Sequence, residues 1–314
     1  MIGMWLIIFV LAVLALVKSA DFFTEAAEEV GIAMRIPPFI VGVTIVGLGT
    51  SMPEFATGLL ATLKGDHAFV WANILGSNIA NILLILGLAT LIAGVIKVER
   101  DIVREDLPLL VGGTALTLFT IWDGAVSSFE ALILLGGLGA YIGYAVASKD
   151  EDREVRTTVD ESVRHARANL KRNLLLILAT MIGIYLGAEF TVRSATNIAE
   201  ILHIPSAIVA VTAVALGTSL PELVVSIRAA QAKKFELAIG NIIGSNLMNM
   251  FFIGGIVGLL RPTVIEGAIF SLGIPVLIIA TILMAFSGIS KSYHRWNGVI
   301  MLLIYIAFIA KLFA

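Results

Sequence analysis

The sequence predicts an all-α polytopic membrane protein in which ten transmembrane helices form two inverted five-helix repeats. Three observations carry this expectation. Of 314 residues, 59% are hydrophobic and 14% charged, with a mean hydropathy of +1.00, whereas a soluble domain carries about 25% charged residues. Charge clusters and Gly/Pro breaks divide the chain into ten apolar stretches, each near the ~20 residues that cross a bilayer. The chain also matches itself at an offset of 168 residues.

The spans fall near 2–19, 37–63, 69–96, 106–122, 125–147, 173–200, 204–230, 235–260, 263–287 and 296–313. No Lys or Arg precedes the first one, so it reads as a retained helix rather than a signal peptide. Trp5, Trp71, Trp122 and Trp296 lie near span ends, as an interfacial aromatic belt predicts. With alternate connections assigned to opposite faces, the face of the N-terminus holds Lys64, Arg193, Arg261 and Lys311. The other face holds the remaining 17 of the 21 Lys and Arg residues. The positive-inside rule then places both termini outside the cell and loop 148–172 in the cytoplasm of a multi-pass cell-membrane protein.

The repeat is read directly. IPPFIVGVTIVGLGTSMPE (36–54) lies on IPSAIVAVTAVALGTSLPE (204–222) with 13 of 19 positions identical. NILGSNIAN (73–81) lies on NIIGSNLMN (241–249), and ADFF (20–23) on AEFT (188–191), at the same offset. The expected organisation is a first repeat over 1–147, a linker over 148–172 and a second repeat over 173–314. Five spans per half force the halves into opposite orientations, a plan shared by secondary transporters that bind substrate near mid-membrane.

The matched residues are polar or helix-breaking. Pro53 has no N–H and its ring opposes the carbonyl of Gly49, so the helix is expected to bend and free carbonyls around Gly47 to Gly49. In hydrocarbon such groups persist only when protein, water or an ion satisfies them. Thr50 and Ser51 place hydroxyls at the break and Glu54 a carboxylate just beyond it; Thr218, Ser219, Pro221 and Glu222 repeat the arrangement. Ser51-x-x-Glu54 also has the spacing of a capping box, but an acid near mid-membrane costs at least ~2.5 kcal/mol on insertion scales. Two such acids are therefore read as functional. Ser77 and Asn81, four apart, share a helix face, as do Ser245 and Asn249. Asn73 and Asn241 extend each face by a turn, with interhelical hydrogen bonding as their alternative role. The pooled donors are all hard oxygens, which suit Ca²⁺ and Na⁺ rather than soft metals.

Other chemistries find little footing. The chain has no cysteine, which removes disulfides and thiolate sites. It lacks a G-x-x-x-x-G-K-[ST] phosphate loop. His67, His165, His203 and His294 lie in loops or near span ends, so no base stands in the core to activate a serine, and the protein is not read as an enzyme. A net charge of −2 gives no reason to expect nucleic acid. No cofactor or obligate protein partner is expected, only ions and the lipid bilayer.

Together, GTSxPE and GSNxxN in each half resemble the two repeats of the cation/Ca²⁺ exchanger superfamily, most closely its prokaryotic Na⁺/Ca²⁺ exchanger branch, over essentially the whole chain. The resemblance implies antiport of Na⁺ against Ca²⁺ by alternating access, both ions being transported substrates, with Ca²⁺/H⁺ antiport as the alternative. It implies that spans two, three, seven and eight hold the ions while spans one and six slide. Glu54 and Glu222 would be shared ligands. Thr50, Ser51, Ser77, Thr218, Ser219 and Ser245 would complete the sites, assisted by Asn81 and carbonyls near Gly47 and Ala215. Asn249 stands where many relatives carry aspartate, which leaves two carboxylates in the set. The roughly 25-residue linker is too short for a folded regulatory domain.

Overall fold

The computed structural model describes residues 2–65, 67–98, 101–102, 104, 106–151, 160–202, 217–261, 263–264 and 269–312. In chain order the helices are α1 (Ile2–Met34), α2 (Pro38–Thr50), α3 (Met52–Lys64), α4 (Phe69–Ala93), α5 (Asp106–Thr120) and α6 (Ser128–Glu151). They continue with α7 (Asp160–Ala168), α8 (Leu170–Ile201), α9 (Leu220–Gln231), α10 (Phe235–Leu260), α11 (Ser271–Gly288) and α12 (Arg295–Leu312). Among the described residues, seven helices are long and apolar enough to cross a membrane: α1, α4, α6, α8, α10, α11 and α12. The pair α2 and α3, bent by 42° at Ser51, makes an eighth crossing if counted as one span. Helix α5 is shorter but apolar. Residues 203–216, which include His203, Ala215 and the first part of the span expected at 204–230, lie outside the described residues.

Burial sorts the helices into a core and a periphery. In the most apolar windows of α4 and α10, 78% and 83% of residues are buried, against 11% in α1 and 33% in α8. Helices α1 and α8 pack along each other, and they expose Ile7, Leu11, Leu14, Leu175 and Ile182, an apolar surface suited to lipid. At ~1.5 Å per residue, the 33 residues of α1 extend about 50 Å, well beyond a hydrocarbon core of ~30 Å.

Helices α2 and α10 cross with their backbones in close approach. A Cβ on Gly244 would lie 2.3 Å from the carbonyl oxygen of Val43, and one on Gly240 2.4 Å from that of Phe39. Such small-residue crossings let membrane helices pack by dispersion where the hydrophobic effect cannot drive them together.

Two short antiparallel ribbons join distant connections: β1 (Val95–Lys97) with β4 (Ser292–His294), and β2 (Ala125–Val126) with β3 (Thr263–Val264). Val95 opposes His294 and Ile96 opposes Tyr293; Val126 opposes Thr263 and Ala125 opposes Val264. Shifting either register by the 168-residue offset reproduces the other. Tyr293 is fully buried there, and burial pushes its phenol up.

The structure corrects several boundaries. Helix α1 does not stop near residue 19. It runs through Asp21, Glu25, Glu28 and Glu29 to Met34, because the Ala/Glu-rich sequence favours helix and two of these acids find partners elsewhere. Asp21 pairs with Arg228 and Glu28 with Lys234. Part of the linker is helical: in α7, Val163 and Ala166 are buried, and Arg167 donates to the carbonyl of Ala33 at the end of α1. Trp122 and Trp296 are largely exposed, but Trp71 is fully buried beside Gly254. It is a core side chain rather than an interfacial anchor.

Candidate ion-binding site

The helix breaks set the geometry. Ser51 (φ −82°, ψ 4°) and Ser219 (φ −88°, ψ 3°) adopt the same turn immediately before α3 and α9. Pro53 and Pro221 follow in the first helical turn, whose N–H groups have no partner within their own helix, so proline is tolerated there. Glu54 and Glu222 thus stand in the first turns of α3 and α9. Neither serine caps its helix with its side chain. Instead, the Ser51 hydroxyl donates to Oε1 of Glu222 at 3.2 Å, across the repeat boundary. The capping-box geometry open to the sequence is not formed.

The carbonyl of Gly47 is not freed by the break. It accepts the Ser51 N–H at 3.1 Å and lies 3.5 Å from the Ser245 hydroxyl. Gly49 is the residue that loses a donor, because position 53 is proline. Its Cα faces Phe23 of α1 and Met181 of α8, so the break sits against the two outer helices.

Reciprocal bonds tie the two motif sets together. The Thr50 hydroxyl lies 3.2 Å from Oδ1 of Asn241 and 3.3 Å from the Ser245 hydroxyl. The Thr218 hydroxyl donates to Oδ1 of Asn73 at 3.3 Å. Thr50–Asn241 and Thr218–Asn73 are the same contact read in opposite directions through the 168-residue offset. Asn78 donates to the carbonyl of its own counterpart Asn246 at 3.4 Å, and Asn249 donates to Oδ1 of Asn78 at 3.2 Å. Asn241 in turn donates to Ser226 at 2.9 Å.

Asn81 and Asn249 are carried on π-helical turns, Ala80–Leu86 and Met248–Ile253, at matching places in α4 and α10. Such wide turns recur at functional sites because they re-aim side chains out of the α-helical register.

What remains unpaired defines the chemistry. Glu54, Glu222, Thr50, Ser51, Ser77, Asn81, Ser219, Ser245 and Asn249 are all buried. Among the described residues, both carboxylate oxygens of Glu54, Oε2 of Glu222, the Ser219 hydroxyl, Oδ1 of Asn249 and both polar atoms of the Asn81 side chain have no hydrogen-bond partner. Neither glutamate forms an ion pair among the described residues. Buried polar groups are almost always satisfied, and a buried charge is costly unless paired or bound to a metal. A cluster of orphaned oxygens on two acids and their neighbours therefore suits a cation. Among the described residues no three His, Cys, Asp or Glu side chains come together, so hydroxyl and amide oxygens would have to complete any coordination shell.

Thr218 is partly exposed and lines a cavity of ≈ 390 Å³ between α8 and the starts of α3 and α9, together with Pro53, Pro221 and Gly217. Sequence reasoning did not single out Ser226, Asn78 or Asn246. Ser226 lies one turn beyond Glu222 on the same face, and the two asparagines sit inside the repeated motif, so the periodicity and the offset were the signals available.

Comparison with known proteins agrees with this construction. The family described as sodium/calcium exchanger protein matches residues 4–147 and 172–314. The chain is 30% identical to the sodium/calcium exchanger MaX1 of Methanosarcina acetivorans, over 100% of this chain and 99% of that one. It is 33% identical to the inner membrane protein YrbG of Escherichia coli, over 94% and 91% of the two chains. A solved structure of the sodium-calcium exchanger NCX_Mj, soaked without Na⁺ and Ca²⁺, superposes with a TM-score of 0.84 at 28% identity, covering 99% of this chain and 100% of that one. With both motif-bearing halves matched and relatives aligned end to end, the chain belongs to the sodium/calcium exchanger protein family.

Proposed function

We propose that this protein exchanges Na⁺ for Ca²⁺ across the cell membrane by alternating access, with Ca²⁺ extruded at the expense of the sodium gradient. The observation that carries this reading is the buried set of unpartnered oxygens on Glu54, Glu222, Ser219, Asn81 and Asn249, which no bond within the protein explains. Glu54 and Glu222 supply the charge. Thr50, Ser51, Ser77, Thr218, Ser219, Ser245, Asn81 and Asn249 supply neutral oxygens, and the carbonyls of Gly47 and Ala215 assist.

The architecture we infer is ten spans in two inverted repeats, 1–147 and 173–314, joined through 148–172. The paired ribbon registers, the reciprocal Thr–Asn bonds and the two π-helical turns, all related by one offset, support it. Both termini lie outside and the linker in the cytoplasm, on the bias of the positive charges. Helices α1 and α8, long, peripheral and packed on each other, are the elements that move.

Two carboxylates bear on the stoichiometry. One Ca²⁺ neutralises them, whereas three Na⁺ leave one net positive charge on the carrier. Exchange at three to one therefore moves a positive charge inward for each Ca²⁺ extruded, and an inside-negative potential accelerates extrusion. Na⁺-gradient-driven ⁴⁵Ca²⁺ flux in proteoliposomes, clamped at several potentials, tests substrate and coupling together. Uptake that follows a pH gradient and ignores Na⁺ would mean Ca²⁺/H⁺ exchange, and flux independent of potential would mean two Na⁺ per Ca²⁺.

A further inference from the structure

Among the acids of the outer helices, Asp21 of α1 and Glu189 of α8 lie beyond GTSxPE and GSNxxN. They are separated by the repeat offset and so occupy one position in the two halves. Acids there are costly and call for a function.

Their surroundings differ in a telling way. Glu189 lines the ≈ 390 Å³ cavity that reaches Pro53, Pro221 and Thr218 at the helix breaks. It is exposed and makes no ion pair among the described residues, although Arg193, one turn along α8, lines the same space. Asp21 lines a second cavity of ≈ 390 Å³ with Lys18, Glu25, Arg228 and Lys234. There Arg228 of α9 holds both carboxylate oxygens, Nε to Oδ1 at 2.5 Å and Nη2 to Oδ2 at 2.9 Å. The repeat counterpart of Arg228 is Leu60, which lines the cavity of Glu189 and offers that acid no charge. One acid faces an open route to the cage; the other is clamped.

We propose that Glu189 is an access carboxylate, the first protein ligand a cation meets between water and the cage on its face, and that Asp21 is its counterpart on the opposite face, held by Arg228 while that face is shut. This rests on the exchange function proposed above. A single charge in a cleft with low-dielectric walls concentrates counter-ions and speeds their capture. A divalent ion gains twice the Coulomb energy of a monovalent one at equal distance, so Glu189 favours Ca²⁺ over Na⁺ during capture. It adds nothing to the occluded cage, which places its effect on KM rather than kcat.

The absence of cysteine gives a clean test. Proteoliposomes carrying Glu189→Cys are assayed for Na⁺-driven Ca²⁺ uptake against Ca²⁺ concentration, at low and high ionic strength. The Ca²⁺ KM is expected to rise roughly tenfold, with kcat within about twofold and most of the salt dependence of kcat/KM lost. An impermeant methanethiosulfonate bearing a sulfonate is expected to restore KM, and one bearing a trimethylammonium to raise it further. Glu189→Gln, close in shape, is expected to show the same KM shift without reagent. An unchanged KM in both variants, a KM indifferent to the sign of the added charge, or a collapse of kcat that the sulfonate does not reverse overturns the proposal. Na⁺-driven flux in the parent protein reports separately on the exchange reading, since the proposal is read only from the ratio of variant to parent.

Discussion

Glu54→Gln is expected to lower the initial rate of Na⁺-driven Ca²⁺ transport at least ~100-fold, and at the same time to raise the melting temperature of the cation-free protein. The two effects share one cause. Glu54 is buried, and neither of its carboxylate oxygens has a hydrogen-bond partner among the described residues; the nearby Thr218 hydroxyl donates to Asn73. Holding a carboxylate this way costs stability, and an amide of the same shape removes the charge, for a gain of about 1–3 kcal/mol. Half of the cage's negative charge goes with it. The single neutral amide oxygen of glutamine cannot replace a carboxylate toward Ca²⁺, whose affinity is set by ligand charge count.

Glu222→Gln is expected to lose transport equally but to gain less stability, because Oε1 of Glu222 already accepts the Ser51 hydroxyl. Thermal unfolding in detergent with and without Ca²⁺ separates the effects. The parent is expected to melt higher as Ca²⁺ is added, by linkage to the folded state, and both variants to have lost that response. Retained exchange in either variant would mean that these glutamates serve the helix ends and not the ion.

The cage we propose was legible in the sequence because its residues violate their surroundings. A proline, hydroxyls and an acid inside an apolar stretch are conspicuous, and the same set 168 residues later cannot be a local accident of helix capping. The offset also contained contacts that only the structure makes visible, such as Thr50 with Asn241 and Thr218 with Asn73. Other features were hidden for identifiable reasons. Asp21 and Glu28 made α1 look short, since acids read as a span end; their partners Arg228 and Lys234 lie more than 200 residues away. Trp71 looked interfacial because position along the chain does not tell which face of α4 meets α10. The π-helical turns at Ala80–Leu86 and Met248–Ile253 have no composition of their own by which the sequence could show them. Short ribbons such as β1 with β4 pair residues from opposite ends of the chain, and two or three residues carry no readable strand period.

Gly244→Ala is expected to be the most damaging single-carbon change outside the acids. Its Cβ would lie 2.3 Å from the carbonyl oxygen of Val43 and 2.7 Å from the Cα of that residue, distances that only separation of two backbones can relieve. No rotamer change helps, because the obstacle is main chain on both sides. Overpacking of well-fitted cores typically costs 1–3 kcal/mol, and a backbone obstacle belongs at or above ~3 kcal/mol. The functional loss should exceed the loss of stability. Gly244 precedes Ser245, and α2 carries Gly47 and Thr50, so parting the helices lengthens the Thr50–Asn241 and Thr50–Ser245 contacts, now 3.2 and 3.3 Å. Misplacement of about 1 Å in a preorganised site can cost ~100-fold in rate. Gly240→Ala, facing the Phe39 carbonyl at 2.4 Å, should behave alike. Gly139→Ala on α6, exposed and with nothing within 4 Å, should instead stabilise by about 0.5–1 kcal/mol through helix propensity alone. Thermal unfolding and ⁴⁵Ca²⁺ flux on the three variants decide the matter. If Gly244→Ala melts and transports like the parent, the backbone crossing of α2 and α10 does not hold the cage together, and the site must draw its rigidity from the helix breaks themselves.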